Sequence, residues 1–307
     1  EDPDETCDVL EDAIRTAFEG RRGPVHIHIP KDVTMAPVNR VRDISIEVAP
    51  VRPDPEAVER MAAGLAGAMA DGAEVLVLIG YGVIRSRGEA AARELVERFQ
   101  LPFVTTMDAK GSLPENHPLA HGVFGTSGDP GANAAFARAR VVLAVGNSFA
   151  QNATFSFDPE ICAGKTLLHV NIDPCEIGKV YPAELALVSD ARLALIALRE
   201  ALERRLPPAA PRTVEKRLWH DAPVESNEAR IHPAEMVKLL SAELPPGAIV
   251  LGDAGSHMLW LNCYLHLTGG QRYQNPGSFG PMASHTNAAI GVKCAHPDRV
   301  VIAGSGD

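Results

Sequence analysis

Three places in this 307-residue chain set glycines beside a side chain able to hold an anion or a cation. The first is Gly252-Asp253-Ala254-Gly255-Ser256-His257, which follows the apolar stretch 248–252. Glycines at a strand-to-helix turn leave backbone N–H groups open, and Ser256 and His257 add side-chain donors, a set suited to phosphate oxygens. A lone histidine is more often structural, but a turn of this kind aims it outward. The second place, Asn275-Pro276-Gly277-Ser278-Phe279-Gly280-Pro281-Met282, is too rich in Gly and Pro for regular helix or strand. A methionine leading into a helix, as Met282 does, is ordinarily a core residue. The third place is Gly304-Ser305-Gly306-Asp307, after the apolar run 299–303. An aspartate at the carboxyl edge of a sheet suits Mg²⁺, a hard ion that takes oxygen ligands and bridges phosphates. It equally suits a helix N-cap.

Weaker signals lie elsewhere. Gly80-Tyr81-Gly82 reads either as the start of a dinucleotide-binding turn or as a tight turn with no ligand. In Asn171-Ile172-Asp173-Pro174 the aspartate either reaches a ribose or adenine or caps the next turn. His26 and His28 share one face of the alternating stretch 25–30, half a metal site at most, and read as structural. Cys7, Cys162, Cys175, Cys263 and Cys294 form no C-x-x-C pair and read as reduced, buried thiols, neither zinc ligands nor a disulfide framework.

The elements that must position these residues follow from periodicity. Helices are expected at 5–19, 54–70, 86–99, 130–138, 190–204, 233–243, 256–265 and 284–295. Strands are expected at 25–30, 74–79, 102–106, 141–146, 166–172, 248–252 and 299–303. Wholly apolar strands alternating with helices indicate α/β architecture with three-layer, doubly wound parallel sheets. A complete central domain is expected at 43–206, flanked by incomplete units at 1–42 and 231–307, with a linker at 207–230 that contains Pro207-Pro208-Ala209-Ala210-Pro211. A chain that starts at a glutamate and stops just after a strand and a glycine turn reads as cut from a longer one.

Composition narrows the class. Hydrophobic residues at 46% and charged residues at 22% fit a globular cytoplasmic protein with a sizeable core. No apolar run reaches the ~18 residues a membrane span needs. A formal charge of −10 argues against nucleic acid or anionic lipid as the main partner.

Taken in order, these motifs resemble the thiamine-diphosphate-dependent enzymes of the acetolactate synthase, pyruvate oxidase and benzoylformate decarboxylase group, closest to acetolactate synthase-like proteins. Gly20-Arg21-Arg22-Gly23-Pro24-Val25 through Ile29-Pro30-Lys31-Asp32-Val33 resembles the close of the group's pyrimidine-binding domain. Residues 74–206 resemble its central domain through Gly80-Tyr81-Gly82, Lys110-Gly111, Pro114-Glu115-Asn116-His117-Pro118, Gly122, Ile172-Asp173-Pro174 and Glu176-Ile177-Gly178-Lys179. Residues 231–307 resemble the first half of its diphosphate-binding domain.

The resemblance implies that Gly255, Ser256 and His257, with Trp260 nearby, meet the diphosphate. It implies that Gly280 and Met282 contact the aminopyrimidine, and that Gly306-Asp307 opens the metal motif, with Asp307 on Mg²⁺. The catalytic glutamate of such enzymes would lie upstream of Glu1, so no residue of this chain is expected to fill that role, and residues 1–307 alone are expected to be inactive. The implied reaction is decarboxylation of a 2-keto acid with carboligation, two pyruvates giving acetolactate and CO₂, in a homodimer or homotetramer. An oxidase, acyltransferase or lyase on the same scaffold is the alternative within the class, and a non-catalytic nucleotide-binding homologue the alternative outside it. Two departures are visible. Val145-Gly146-Asn147-Ser148-Phe149-Ala150-Gln151 lacks the arginine and paired aspartates of the FAD-carrying members, which speaks against FAD. Pro281, Ser284 and His285 replace the commoner threonine, aromatic and glycine, which points to a different acceptor pocket.

Overall fold

The computed structural model describes residues 2–226 and 230–306. It divides into two units, Glu1–Arg52 and Pro53–Asp307.

In the first unit, helix α1 (Thr6–Phe18) is followed by the short α2 (Lys31–Met35). An acidic row on α1 holds the returning chain: Arg42 pairs with Asp8 at 2.7 Å and with Glu11 at 2.5 Å. Asp4 accepts from the amide of Asn39 at 2.6 Å. The stretch 25–30, expected as a strand, is not one. A strand exists only through a paired neighbour, and no other described segment of this unit is a strand. His26 and His28 are accordingly exposed, not structural, and none of the described residues of this unit is fully buried.

The second unit opens with α3 (Pro55–Ala70). Asp54 caps it by accepting from the amide of Ala57, and Pro55 stands where its missing N–H costs nothing. Then come β1 (Val75–Ile79), α4 (Tyr81–Arg85), α5 (Glu89–Phe99), β2 (Phe103–Thr106), β3 (Ala120–Phe124), α6 (Pro130–Arg138), β4 (Val141–Val145), β5 (Thr166–Asn171), β6 (Leu185–Val188) and α7 (Ala191–Glu203). The six strands form one parallel sheet in the order β3-β2-β1-β4-β5-β6. This is the doubly wound order, reversing direction between β1 and β4. Helices α3, α5 and α7 cover one face with Leu65, Leu95 and Leu198, while α6 covers the other with Phe136 stacked on Phe124. Each such fully buried side chain stabilises the fold by roughly 1.5–3 kcal/mol.

A second parallel sheet follows, with α8 (Pro233–Glu243), β7 (Ile249–Gly252), α9 (Ser256–Tyr264), β8 (Arg272–Gln274), α10 (Ser284–Ala295) and β9 (Val301–Gly304), strand order β8-β7-β9. Both sheets are parallel with flanking helices, as the apolar strands predict. Three strands went unforeseen. His121 and Gly122 interrupt the apolar signal of β3, β6 is a half-exposed edge strand, and β8 has only three residues. The helix expected at 86–99 is α5, which starts only at Glu89, and the turn before it holds the unforeseen short α4; Arg87 between them takes a positive φ of 55°.

The two sheets are tied through a buried ion pair. Lys110 Nζ lies 2.6 Å from Glu115 Oε1, with the side chains 2% and 6% exposed. Glu115 Oε2 accepts from the amide of Leu267 at 2.8 Å, and the Glu115 amide donates to the Leu267 carbonyl at 2.9 Å. Asp129 ties β3 to the segment that connects the two sheets by accepting from the amides of Val123 and Trp219, each at 2.8 Å. Among the described residues no helix is long and apolar enough to cross a membrane. The five cysteines are unpaired, but none is buried: Cys175 and Cys294 are exposed and the other three intermediate. Cys175 sits on a surface turn after β5 and Cys294 on the open side of α10, so neither thiol meets the core.

Candidate functional site

Strand β7 ends at Gly252, and the chain turns at its carboxyl edge. Asp253, only 2% exposed, is the hub of that turn. Its amide donates to the Gly304 carbonyl of β9 at 2.8 Å. Oδ1 accepts from the Ala254 amide at 2.8 Å, and Oδ2 accepts from the Thr286 hydroxyl at 2.7 Å. Desolvation pushes this carboxyl up, but the Thr286 hydroxyl and the surrounding amides outweigh it and hold the group below its ordinary value. One carboxylate thus binds together the ends of β7 and β9 and the start of α10.

Gly255 follows with φ 147° and ψ −175°, a conformation open to glycine alone. A Cβ there would stand 2.6 Å from His257 Cε1. Across the turn, a Cβ on Gly306 would stand 3.3 Å from His257 Nδ1. The His257 ring is therefore flanked by two glycines, and its Nε2 is buried with no hydrogen-bond partner. Helix α9 starts here without a side-chain cap, unlike α3, α7 and α8, which Asp54, Asp190 and His232 cap. An uncapped helix start at the carboxyl edge of a parallel sheet directs backbone donors and the positive end of the helix dipole at whatever lies there.

The structure brings Gly255, His257 and Gly306 together and places Ser256 as the first residue of α9. Gly280 and Met282 lie in the segment that leads into α10. That segment is anchored by the Asp253–Thr286 bond and by Ser284 Oγ, which donates to the Pro281 carbonyl at 2.9 Å. Met282 is 84% exposed and Phe279 92%, so Met282 is no core methionine. Asp307, the expected metal ligand, lies outside the described residues. Among those described, no group of three or more His, Cys, Asp or Glu could hold a metal. A phosphate-bearing cofactor does fit the donor set: an uncapped helix start, the Ser256 hydroxyl and a buried, unpartnered imidazole nitrogen.

Sequence reasoning missed Thr286 and the part played by Asp253. The two are 33 residues apart, and nothing local in the sequence pairs them. In the Gly80-Tyr81-Gly82 turn both glycines pack against Gly146, the residue that follows β4. Gly82 donates its amide to the Gly146 carbonyl at 2.9 Å, and a Cβ on Gly82 would stand 2.7 Å from Gly146 Cα. These glycines let β1 and β4 approach at the switch point. Asp173 caps the turn beyond β5, accepting from the Cys175 amide at 2.9 Å.

Comparison with known proteins places these features in context. The thiamine pyrophosphate enzyme central domain matches residues 62–198, and the thiamine pyrophosphate enzyme C-terminal TPP binding domain matches residues 253–307. The acetolactate synthase large subunit of Parasynechococcus marenigrum is 33% identical over all of this chain and half of its own length. The acetolactate synthase isozyme 1 large subunit of Escherichia coli is 31% identical over 99% of this chain and 53% of its own. Among solved structures, a protein of Mycobacterium smegmatis described as a candidate thiamin diphosphate-dependent enzyme superposes with a TM-score of 0.78 at 25% identity, covering all of this chain and 58% of that one. The chain spans about half the length of the curated relatives it matches.

Proposed function

This chain belongs to the thiamine pyrophosphate enzymes, and from that premise we propose that the carboxyl edge of β7 and β9 takes the diphosphate end of thiamine diphosphate. The observation that carries the reading is the His257 ring, set between Gly255 and Gly306 with a buried nitrogen lacking any partner. The first amides of α9 and the Ser256 hydroxyl bind diphosphate oxygens, and His257 donates to them. Met282, exposed on the segment entering α10, is the apolar prop for the aminopyrimidine, with Gly280 leaving room beside it. Asp253 touches no cofactor in this reading. It positions the turn and the α10 segment relative to each other. Asp307 is the proposed Mg²⁺ ligand.

When bound, thiamine diphosphate supplies a nucleophilic carbon and an electron sink for cleavage beside a keto carbonyl. The whole protein is then a 2-keto acid decarboxylase or carboligase, with acetolactate formation from two pyruvates as the favoured reaction, working as a homodimer or homotetramer. The names of the relatives at about 30% identity support that reaction, and the exposed Phe279, Met282 and Ile290 support a surface covered on assembly. The test is calorimetry on the full-length protein. Thiamine diphosphate should bind only with a divalent metal present, His257→Ala should weaken it and Asp307→Ala should abolish it. Unchanged affinity in both variants sinks the assignment. Acetolactate and CO₂ from pyruvate, measured separately, test the reaction.

A further inference from the structure

The segment that carries Met282 closes on itself before α10. Ser284 Oγ donates to the Pro281 carbonyl at 2.9 Å, which folds 281–284 into a turn with Met282 and Ala283 at its tip. Ala283 takes φ 61°, a left-handed conformation that residues other than glycine keep only where their surroundings fix it. The His285 ring is bonded to the base of the same turn, its Nδ1 3.1 Å from Ser284 Oγ. A carbonyl has no proton to give, so the one hydroxyl proton of Ser284 goes to Pro281, and the ring must donate the second bond. His285 therefore carries its proton on Nδ1. In the neutral ring Nε2 is left with a lone pair. It makes no hydrogen bond among the described residues and is not sealed from solvent.

Two features suit this nitrogen to proton transfer. The ring is half-buried, and burial holds it below the ordinary imidazole range against the pull of the Asp253 charge, so it is neutral near pH 7. Helix α10 packs on β7 and β9, whose strand residues carry no charge. Asp253, just past the end of β7, is the carboxylate that faces it, and its charge stabilises an imidazolium once one forms. Protonation at Nε2 also leaves the bond to Ser284 in place, because Nδ1 is a donor in both states. The ring can thus gain and lose a proton without losing its orientation, as a general base must.

We infer that His285 is a catalytic residue, its Nε2 taking the proton of a substrate hydroxyl as that oxygen becomes the carbonyl of the leaving product. The inference rests on the function proposed above, in which the Met282 turn meets the cofactor. In this step the O–H electron pair becomes the second C–O bond. The bond from that carbon to the cofactor breaks with its pair left on the cofactor, and the imidazolium returns its proton to solvent. The test begins with NMR of full-length protein isotope-labelled at histidine, the His285 signals assigned by their loss in His285→Gln. Nitrogen shifts should show the Nδ1–H form in wild type, and Ser284→Ala should move the ring toward Nε2–H, the form free histidine prefers. A wild-type ring protonated on Nε2 overturns the inference. Kinetics at saturating thiamine diphosphate and Mg²⁺ follow. His285→Gln should lower kcat for acetolactate formation from pyruvate about 100-fold or more, while calorimetry shows thiamine diphosphate bound as in wild type. The wild-type rate should fall as pH drops through the imidazole range, and that acid limb should be absent from the variant. The remaining histidine signals report folding; if His285→Gln is unfolded, Ser284→Ala carries the kinetic test with a smaller loss and a displaced acid limb. A folded variant with the wild-type kcat and pH profile removes His285 from the reaction and leaves the thiamine diphosphate reading standing. Wild-type protein that binds no thiamine diphosphate would overturn that reading and this role together, so the two failures are told apart.

Discussion

Thr286 donates its hydroxyl to Asp253 Oδ2 at 2.7 Å, joining the first turn of α10 to the carboxyl end of β7 across 33 residues of sequence. The carboxylate is almost wholly buried, so this bond is one of the few ways its charge is met. Thr286→Val keeps the shape of the side chain and removes the donor, and should cost about 1–3 kcal/mol of stability. The pH dependence has a definite sign. Asp253 is held below 3.8, so its contribution is present above that value and fades as pH falls through the lower folded value. The gap in thermal midpoint between wild type and Thr286→Val should therefore be widest near neutrality and shrink in acid. A gap that does not change with pH would count against the account.

Asp129 behaves in the opposite sense. Burial raises its carboxyl to about 6, against the Lys110 charge and the amides of Val123 and Trp219. A carboxyl raised on folding favours the native state fully below its unfolded value of 3.8, and that contribution is lost as pH rises through about 6. The thermal midpoint of wild type minus that of Asp129→Asn should fall as pH is raised across this window. Calorimetry at several pH values reads it directly.

The Lys110–Glu115 pair predicts non-additivity. Either Glu115→Gln or Lys110→Met leaves an unmatched buried charge and should cost about 3–5 kcal/mol. The double variant loses both charges, keeps an acceptor for the Leu267 amide, and should be more stable than either single variant. A double-mutant cycle by chemical denaturation decides it; strictly additive losses would mean that the pair is not coupled.

Gly82 lies within α4, where alanine would ordinarily be the better helix former. Gly82→Ala should nevertheless destabilise the protein by about 1–3 kcal/mol, because its Cβ would collide with the Gly146 backbone. A neutral or stabilising result in thermal unfolding would show that β1 and β4 can part at no cost.

The sequence carried the parallel sheets because Val75–Ile79 and Val141–Val145 are apolar without interruption, as strands covered on both faces must be. It misled at 25–30, where alternation suggests a strand but pairing, which no single segment specifies, is missing. The glycine turn at 255 was legible as a strand-to-helix turn, since Gly252 and Gly255 frame it between an apolar stretch and a helical one. The hub role of Asp253 was not, because it depends on Thr286 and Gly304 being folded against it. Lys110 and Glu115 stood out as neighbours of glycine and proline, yet their burial against Leu267 is a tertiary fact with no local trace.

The glycines on either side of His257 have a consequence for how chemistry can diverge on this scaffold. A wall made of backbone offers the same amides and the same narrow gap whatever neighbouring side chains become, because substitution at Gly255 or Gly306 crowds the imidazole and cannot retune it. Under the proposed function, mutation there would abolish occupancy but has little room to change the identity of the occupant. Novelty is confined to surfaces built from side chains, such as the exposed Pro281, Met282 and Ala283 before α10. In the proposed reading, a nearly fixed grip is thus separate from an adjacent rim free to vary, and selection for new substrates would act on the second without disturbing the first.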